Sequence, residues 1–294
     1  MSSTTNLPIR SGRDSQLSQE RKSGIENALQ KYRSRVLELN LHALEIAIQD
    51  IEQQDLSPEE RLSEVFDGYG IRLDPEDPTI TAPRDFLSED RRENLIRTNR
   101  LDGTTHGDVD LAGRNAWIEN TERKIAAAER VADEVRPEGL PADLKYLMTL
   151  VRGLCGPGLP QYRFYGELNQ LKFLSSLDDA DEDDEDERKT DSGWVALPNT
   201  SEEVRSGQAK DGIFEDWGEG DTTWRVAVAV CVGDGGFAVY CKDNDGDDEK
   251  NCWRYGLSDP KDVFMSELYD TIEEFLEFYA EFNKQSEEDD NILV

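Results

Sequence analysis

The chain has 294 residues, of which 33 are basic and 65 acidic, giving a formal net charge of −32. A field of that sign repels nucleic-acid phosphates and anionic lipid, which argues against direct binding to either and favours a protein partner with a basic surface. No apolar run approaches the roughly 20 residues needed to cross a bilayer, and the length allows a sizeable core in one or two domains.

The charge is uneven: residues 1–137 carry 19 basic and 27 acidic residues, and residues 138–294 carry 14 and 38. Residues 1–15 are rich in Ser, Thr and Arg without periodicity and read as a disordered tail that lacks a signal-peptide core. A mostly helical region is expected over 16–137. Its first helix, from Leu17 to Gln54, carries a stripe at Ile25, Leu29, Tyr32, Val36, Leu39, Ala43 and Ile46. A second stripe runs through Leu37, Leu41, Leu44, Ile48 and Ile51, so the helix should pack against more than one neighbour, in coiled-coil-like fashion.

Ser57-Pro58-Glu59-Glu60 is a capping box with proline at the first helical position, and Gly68 and Gly70 should end that helix. Asp74 to Pro83 reads as a proline-rich loop, Ser88 to Asn99 as a helix, and Leu101 to Gly107 as a turn-rich link. Val109 to Val135 is expected to be helical, with Ile118, Ile125, Ala128, Ala132 and Val135 on one face. Pairing it with the first helix gives an antiparallel hairpin, and the domain boundary falls near Pro137-Glu138-Gly139.

The region 138–284 reads as an α+β domain, a C-terminal antiparallel sheet packed by helices. Pro141 opens a helix with Leu144, Leu147, Met148 and Val151 on one face, and Gly153 is its expected C-cap. Tyr162 to Tyr165 is a candidate strand, and Leu168 to Leu177 fits helix or strand. Asp178 to Glu187 is acidic at nine of ten positions, so self-repulsion marks 178–191 as a mobile insertion. Trp194 to Leu197 should return to the sheet.

Trp224 to Val232 alternates with a period of two, and Asp234-Gly235 suggests a two-residue hairpin turn. That register sets Val232 opposite Phe237 and Val230 opposite Val239, with the valines, Trp224 and Phe237 on one bulky face. The other face sets Cys231 by Ala238 and Ala229 by Tyr240, small side chains that leave room for a close-packed helix or a docked ligand. A strand at Cys252 to Tyr255 and a capping box at Thr271-Ile272-Glu273-Glu274 follow. The closing helix should bury Ile272, Phe275, Leu276, Tyr279 and Phe282, and residues 285–294 form an acidic tail.

Over 138–284 this order resembles the SUKH superfamily, which includes the fungal SMI/KNR regulators of cell-wall glucan synthesis and bacterial toxin-immunity proteins. The resemblance rests on Leu140-Pro141-Ala142-Asp143-Leu144-Lys145 and on Leu154-Cys155-Gly156. It extends to Trp217-Gly218 with the strand pair from Trp224, and to the Thr271 to Leu276 end. It implies a binding module without catalysis, used as a regulatory or scaffold protein or, alternatively, as a toxin-neutralising immunity protein. The long helical extension favours the regulatory setting.

An enzymatic alternative would use Cys155 as nucleophile with His106 as base, in a hydrolase or transferase. With two histidines in the chain, a buried structural cysteine is the preferred reading. Asp243 to Glu249 does not fit an EF-hand, since counting from Asp243 puts Asp248 and Arg254 where Gly and Glu are required. Cys241 and Cys252 are separated by ten residues without a second close pair, so no zinc site is expected, and no cofactor either. Four cysteines at irregular spacing do not make a disulfide framework, which suggests a cytoplasmic protein, with access to the nucleus. The partner-binding candidates are Glu215, Asp216 and Trp217, an acid-flanked tryptophan of hot-spot composition, together with Trp253 and Tyr255.

Overall fold

The computed structural model describes residues 17–72, 80–127, 136–161, 170–175, 195–196, 224–231, 235–242, 251–259 and 264–282. Its longest element is α1 (Gln19–Gln53), started by Ser18, whose side chain accepts from the backbone N–H of Arg21. The buried stripe along α1 begins as expected at Ile25, Leu29, Tyr32 and Val36. It then continues through Asn40, Leu44, Ala47, Ile48 and Ile51, whereas Ile46 is 46% exposed. The stripe extrapolated to Leu39, Ala43 and Ile46 is therefore corrected: the real one passes through a polar residue that a hydrophobic pattern skips. Asn40 Nδ2 donates to Leu101 O at 2.8 Å, and Asn40 Oδ1 accepts from Gly158 N at 2.7 Å. Both of its polar ends are thus satisfied at full burial.

Asn40 also marks the seam between two cores. The C-terminal half of α1 packs with Val65, Ile71, Phe86, Leu95, Leu101 and Leu159. Around it lie α2 (Pro58–Ser63), a π-helical turn at Glu64–Gly68, a 3-10 turn at Pro83–Leu87 and α3 (Glu89–Asn99). The capping box at Ser57 forms as expected. The N-terminal half of α1 belongs to the larger core, with Trp117 and Ile125 of α4 (Leu111–Ala126) and Leu144, Leu147 and Met148 of α5 (Ala142–Leu150). Ile272, Phe275, Leu276 and Tyr279 of the closing helix α6 (Ile272–Tyr279) complete it. Helix α1 lies along α6 and α5, so the expected hairpin with α4 is replaced by packing on the C-terminal half. The core does not divide at Pro137.

Tyr32 shows how tightly α1 is built in. Its ring stacks on Tyr279 at 6.0 Å, and its hydroxyl donates to Cys155 O at 2.7 Å. Beneath it the chain turns at Gly103 (φ +74°), where a Cβ would lie 3.0 Å from the Tyr32 ring and 2.9 Å from Val36. Only glycine suits that turn, through both its backbone angle and the close approach.

Two antiparallel sheets complete the α+β fold. The small one pairs β1 (Gly153–Cys155) with β2 (Gln170–Lys172). Gly153 is therefore a strand residue and not a helix cap: α5 stops at Leu150, and a Cβ on Gly153 would meet Leu171 O at 2.3 Å. The larger sheet is a meander of β3 (Val195–Ala196), β4 (Trp224–Ala229), β5 (Gly236–Lys242), β6 (Asn251–Asp259) and β7 (Phe264–Met265).

The β4–β5 register corrects the expected one. Ala229 faces Phe237, Val228 faces Ala238 and Ala227 faces Val239, and Val230 N donates to Gly236 O at 2.9 Å. The connection is thus longer than two residues, and the pairing slips by three. An odd slip exchanges the faces of one strand relative to the other. Val226 and Val228 share the helix-covered face with Ala238 and Tyr255, while Phe237 and Val239 pack with Ala227, Ala229 and Cys241. A bulge between Trp224 and Val226 moves Trp224 to this second face. Neither face is the small-residue platform that the two-residue turn implied. Phe237 gains its room from Gly256, its partner on β6, where a Cβ would come within 2.7 Å of the ring.

The Thr271 hydroxyl caps α6 by accepting from Glu274 N, and the Glu274 carboxylate reaches back to Asp270 N at 3.1 Å. The expectations for 1–15, 74–79, 128–135, 162–165, 178–191, 243–249 and 285–294 lie outside the described residues.

Two outcomes follow from this packing. A fragment beginning at residue 138 exposes the surface that α1 covers, so it should melt without cooperativity, and a peptide of residues 17–53 added in trans should restore a sharp transition. In the full chain Tyr32→Ala should cost about 3–5 kcal/mol in urea denaturation. The second outcome concerns alkali. Burial pushes the phenols of Tyr255 and Tyr279 up and that of Tyr269 to about 12. A raised folded-state pKa contributes stability that is complete below the unfolded value near 10 and is lost as pH rises through the folded values. Urea midpoints should be flat from pH 7 to 9 and fall between about pH 10 and 12, with tyrosinate absorbance rising in step with unfolding.

Candidate functional site

The helix-covered face of the large sheet is buried at its centre and opens at one end. Tyr240 and Trp253 face each other across β5 and β6, two pairs further along the strands than Ala238 and Tyr255 and on the same face. Tyr255 is 5% exposed and fills the core, so of the two strand residues singled out in the sequence only Trp253 reaches the surface. Tyr240 and Trp253 are half-buried, with ring centroids 5.3 Å apart and planes tilted by 54°. Glu215, Asp216 and Trp217 lie outside the described residues.

The aromatic pair forms one wall of an open groove of about 910 Å³. The opposite walls are Ile118, Glu119 and Glu122 of α4 and Lys145, Tyr146 and Thr149 of α5, with Pro137 to Ala142 crossing the end. Tyr146 points away from the Leu144, Leu147, Met148 face of its helix. Its hydroxyl donates to Glu26 and its ring lies 5.4 Å from Lys22 Nζ. Lys145 pairs with Glu122 at 3.0 Å, and Glu122 also accepts from Leu140 N at 3.1 Å, which fixes the loop containing the Leu-Pro-Ala-Asp sequence. Glu119 and Glu138 line the groove without an ion pair among the described residues. Tyr146 was legible in the sequence as an aromatic off the apolar stripe of α5. Tyr240 was not, because its exposure depends on where the helices end over the sheet.

Asp143 of that same sequence faces inward to Arg21. The Arg21 guanidinium binds Asp143 and Glu273 together, with Nε to Asp143 Oδ2 at 2.9 Å and Nη2 to Glu273 Oε2 at 2.8 Å. One side chain thereby ties α1, α5 and α6 beside the groove.

The Cys155–His106 pair is not assembled. His106 Nε2 bonds Asp102 Oδ1 at 3.0 Å, and Asp102 also accepts from Arg33, at 2.7 and 2.9 Å, and from Thr104. The Cys155 thiol is buried, with Thr105 Oγ1 at 3.9 Å as its polar neighbour. The imidazole thus orients toward a carboxylate that is already saturated, and no hydrogen bond joins it to the thiol. Among the described residues no group of His, Cys, Asp and Glu is arranged to hold a metal ion, and no helix is long and apolar enough to cross a membrane. No family model, curated protein or solved structure matches this chain.

The thiols give a check on these placements. Burial raises the pKa of Cys231; the bond to Cys252, then burial, raises that of Cys241, its cross-strand partner. Since the thiolate is the reactive form, iodoacetamide at pH 8 should label the half-buried Cys252 first in the folded protein. Peptide mapping should find Cys155, Cys231 and Cys241 protected until the fold is melted.

Proposed function

We propose that this chain is a non-catalytic protein-binding module of regulatory or scaffold type, in keeping with the SUKH resemblance of residues 138–284, and that its partner docks in the Tyr240–Trp253 groove. The observation that carries the reading is the aromatic pair itself. Every other large side chain described on that face of β4, β5 and β6 is covered by helices, while these two rings border an open groove whose lining includes Glu119, Glu122 and Glu138 alongside Lys22 and Lys145. Half-exposed tryptophan and tyrosine with a polar rim are the usual composition of an interface hot spot. The net charge of −32 would attract a segment carrying lysine or arginine, and Glu119 and Glu138 supply carboxylates for it.

The test is fluorescence titration of the full chain with lysine- and arginine-rich peptides that carry one aliphatic anchor, following the tryptophan signal and, separately, anisotropy of a labelled peptide. Association should slow steeply as salt rises, since exposed charges are screened within about 8 Å at physiological ionic strength. Trp253→Ala should weaken the tightest peptide by about 2 kcal/mol, mainly through faster dissociation, with the melting temperature changed little. Equal affinity of wild type and Trp253→Ala would move the partner elsewhere on the surface.

A further inference from the structure

The opposite flank of α4 borders a second cleft, of about 780 Å³, that shares no lining residue with the aromatic groove. Its charge runs against that of the whole chain. Arg97 and Arg100 come from the end of α3, Arg114 from the first turns of α4, Arg152 from the link between α5 and β1, and Lys172 from β2. The one acid in the described lining is Asp110, whose Oδ1 is occupied in capping α4 through Gly113 N at 2.9 Å. In a chain with twice as many acids as bases, five cations facing one carboxylate is a local reversal. Arg97, Arg152 and Lys172 form no ion pair among the described residues.

Arg114 is the second, independent observation. It is 3% exposed and has no carboxylate partner among the described residues. Nη1 donates to Val151 O at 2.6 Å and Nη2 to Arg152 O at 2.8 Å, while Nε is buried without a hydrogen-bond partner. The guanidinium lies over the Phe173 ring at 5.6 Å. Burial first, and to a lesser degree the like charge of Arg152, pulls its pKa down to about 10 against the opposing charge of Asp110. A buried, unpaired cation beside a second one is costly, and an anion in the cleft would relieve both terms.

We propose that this cleft binds a compact polyphosphate through its phosphoryl groups, held by Arg97, Arg100, Arg152 and Lys172 at the rim over the buried charge of Arg114. Arginine forks match phosphate oxygens in bidentate geometry, and the cations are drawn from four separate segments, which suits more than one phosphoryl group. The volume is within the range of small-molecule sites. A long nucleic acid would run out of the cleft into the acidic field of the remaining surface. Of the two aromatic rings in the described lining, Phe173 is 4% exposed and carries the Arg114 guanidinium, and His106 is tied to Asp102 Oδ1 at 3.0 Å, so neither is a free platform for stacking a base. Recognition therefore rests on the phosphates.

The experiment is isothermal titration of the full chain, without magnesium, against tripolyphosphate, adenosine triphosphate and sulfate. Tripolyphosphate should bind, adenosine triphosphate should bind with similar affinity, and sulfate should be at least about tenfold weaker, having fewer oxygens to meet the same donors. Arg152→Glu with Lys172→Glu changes two exposed side chains that hold nothing in place. The double variant should keep the wild-type melting temperature and lose tripolyphosphate affinity by at least about 30-fold. No binding at millimolar tripolyphosphate, equal binding by the double variant, or sulfate as tight as tripolyphosphate would overturn the proposal. Adenosine triphosphate far tighter than tripolyphosphate would also overturn it, since the base would then be read.

Discussion

Helix α1 is the constraint on which the rest of the molecule depends, and Tyr32 is where that dependence is tightest. A 35-residue helix is about 52 Å long and contributes buried residues to both cores. It joins the two cores by running through both, and Asn40 at their seam uses its amide nitrogen on the turn at Leu101 and its amide oxygen on the loop at Gly158. On the Tyr32 side of the seam the contacts reach Gly103, Cys155 and Tyr279, three places far apart in sequence. Arginines at 21, 33 and 35 repeat the pattern, binding Asp143 with Glu273, Asp102, and Glu281. Their side chains are about a third exposed, so each contributes modestly to stability. Their larger effect is to set the rotation of the helix, because each can meet its partner in only one register.

Fixing α1 and α6 over the sheet decides which part of the sheet remains open. The helices cover Val226, Val228, Ala238 and Tyr255 and stop short of Tyr240 and Trp253. Helix α4 then becomes a wall with two sides, since Glu119 and Glu122 face the aromatic groove while Asp110 and Arg114 face the cationic cleft. The two sites therefore depend on a single helix placed by Trp117, which is 2% exposed between them.

Local signals were read well and long-range ones were not, for physical reasons. The capping box at Ser57, the start of α1 and the apolar face of α6 all follow from interactions within a few residues, and the α+β class follows from their order. The β4–β5 register failed because it turns on the length of the connection, and Asp-Gly is a preference for a two-residue turn without being a requirement for one. The larger core runs across the boundary drawn at Pro137, because a helix cannot show from its own sequence which half of the chain it covers. Arg114 escaped notice for a related reason. It lies on the buried stripe of α4 with Trp117, Thr121 and Ile125, and a pattern search for apolar residues passes over an arginine and a threonine on the inner face. The signal was present as a gap in the stripe: Trp117 and Ile125 are eight apart, and positions 114 and 121 complete their face.

The acidity of the chain acts differently at the two sites. At the aromatic groove the long-range field has the same sign as Glu119 and Glu138, unpaired among the described residues, so the basic partner proposed for it would be drawn in from a distance and met by charges of that sign. At the cationic cleft they have opposite signs. A small polyanion approaching from solution meets the repulsion of the whole chain and gains attraction only within about a Debye length, roughly 8 Å, of the arginines. For the polyanion proposed, that combination would select for ligands small enough to fit wholly inside the cleft, because each charge left outside would remain in the repulsive field. An acidic surface would thereby confer size selectivity on a basic cleft, which the same five cations on a neutral protein would lack.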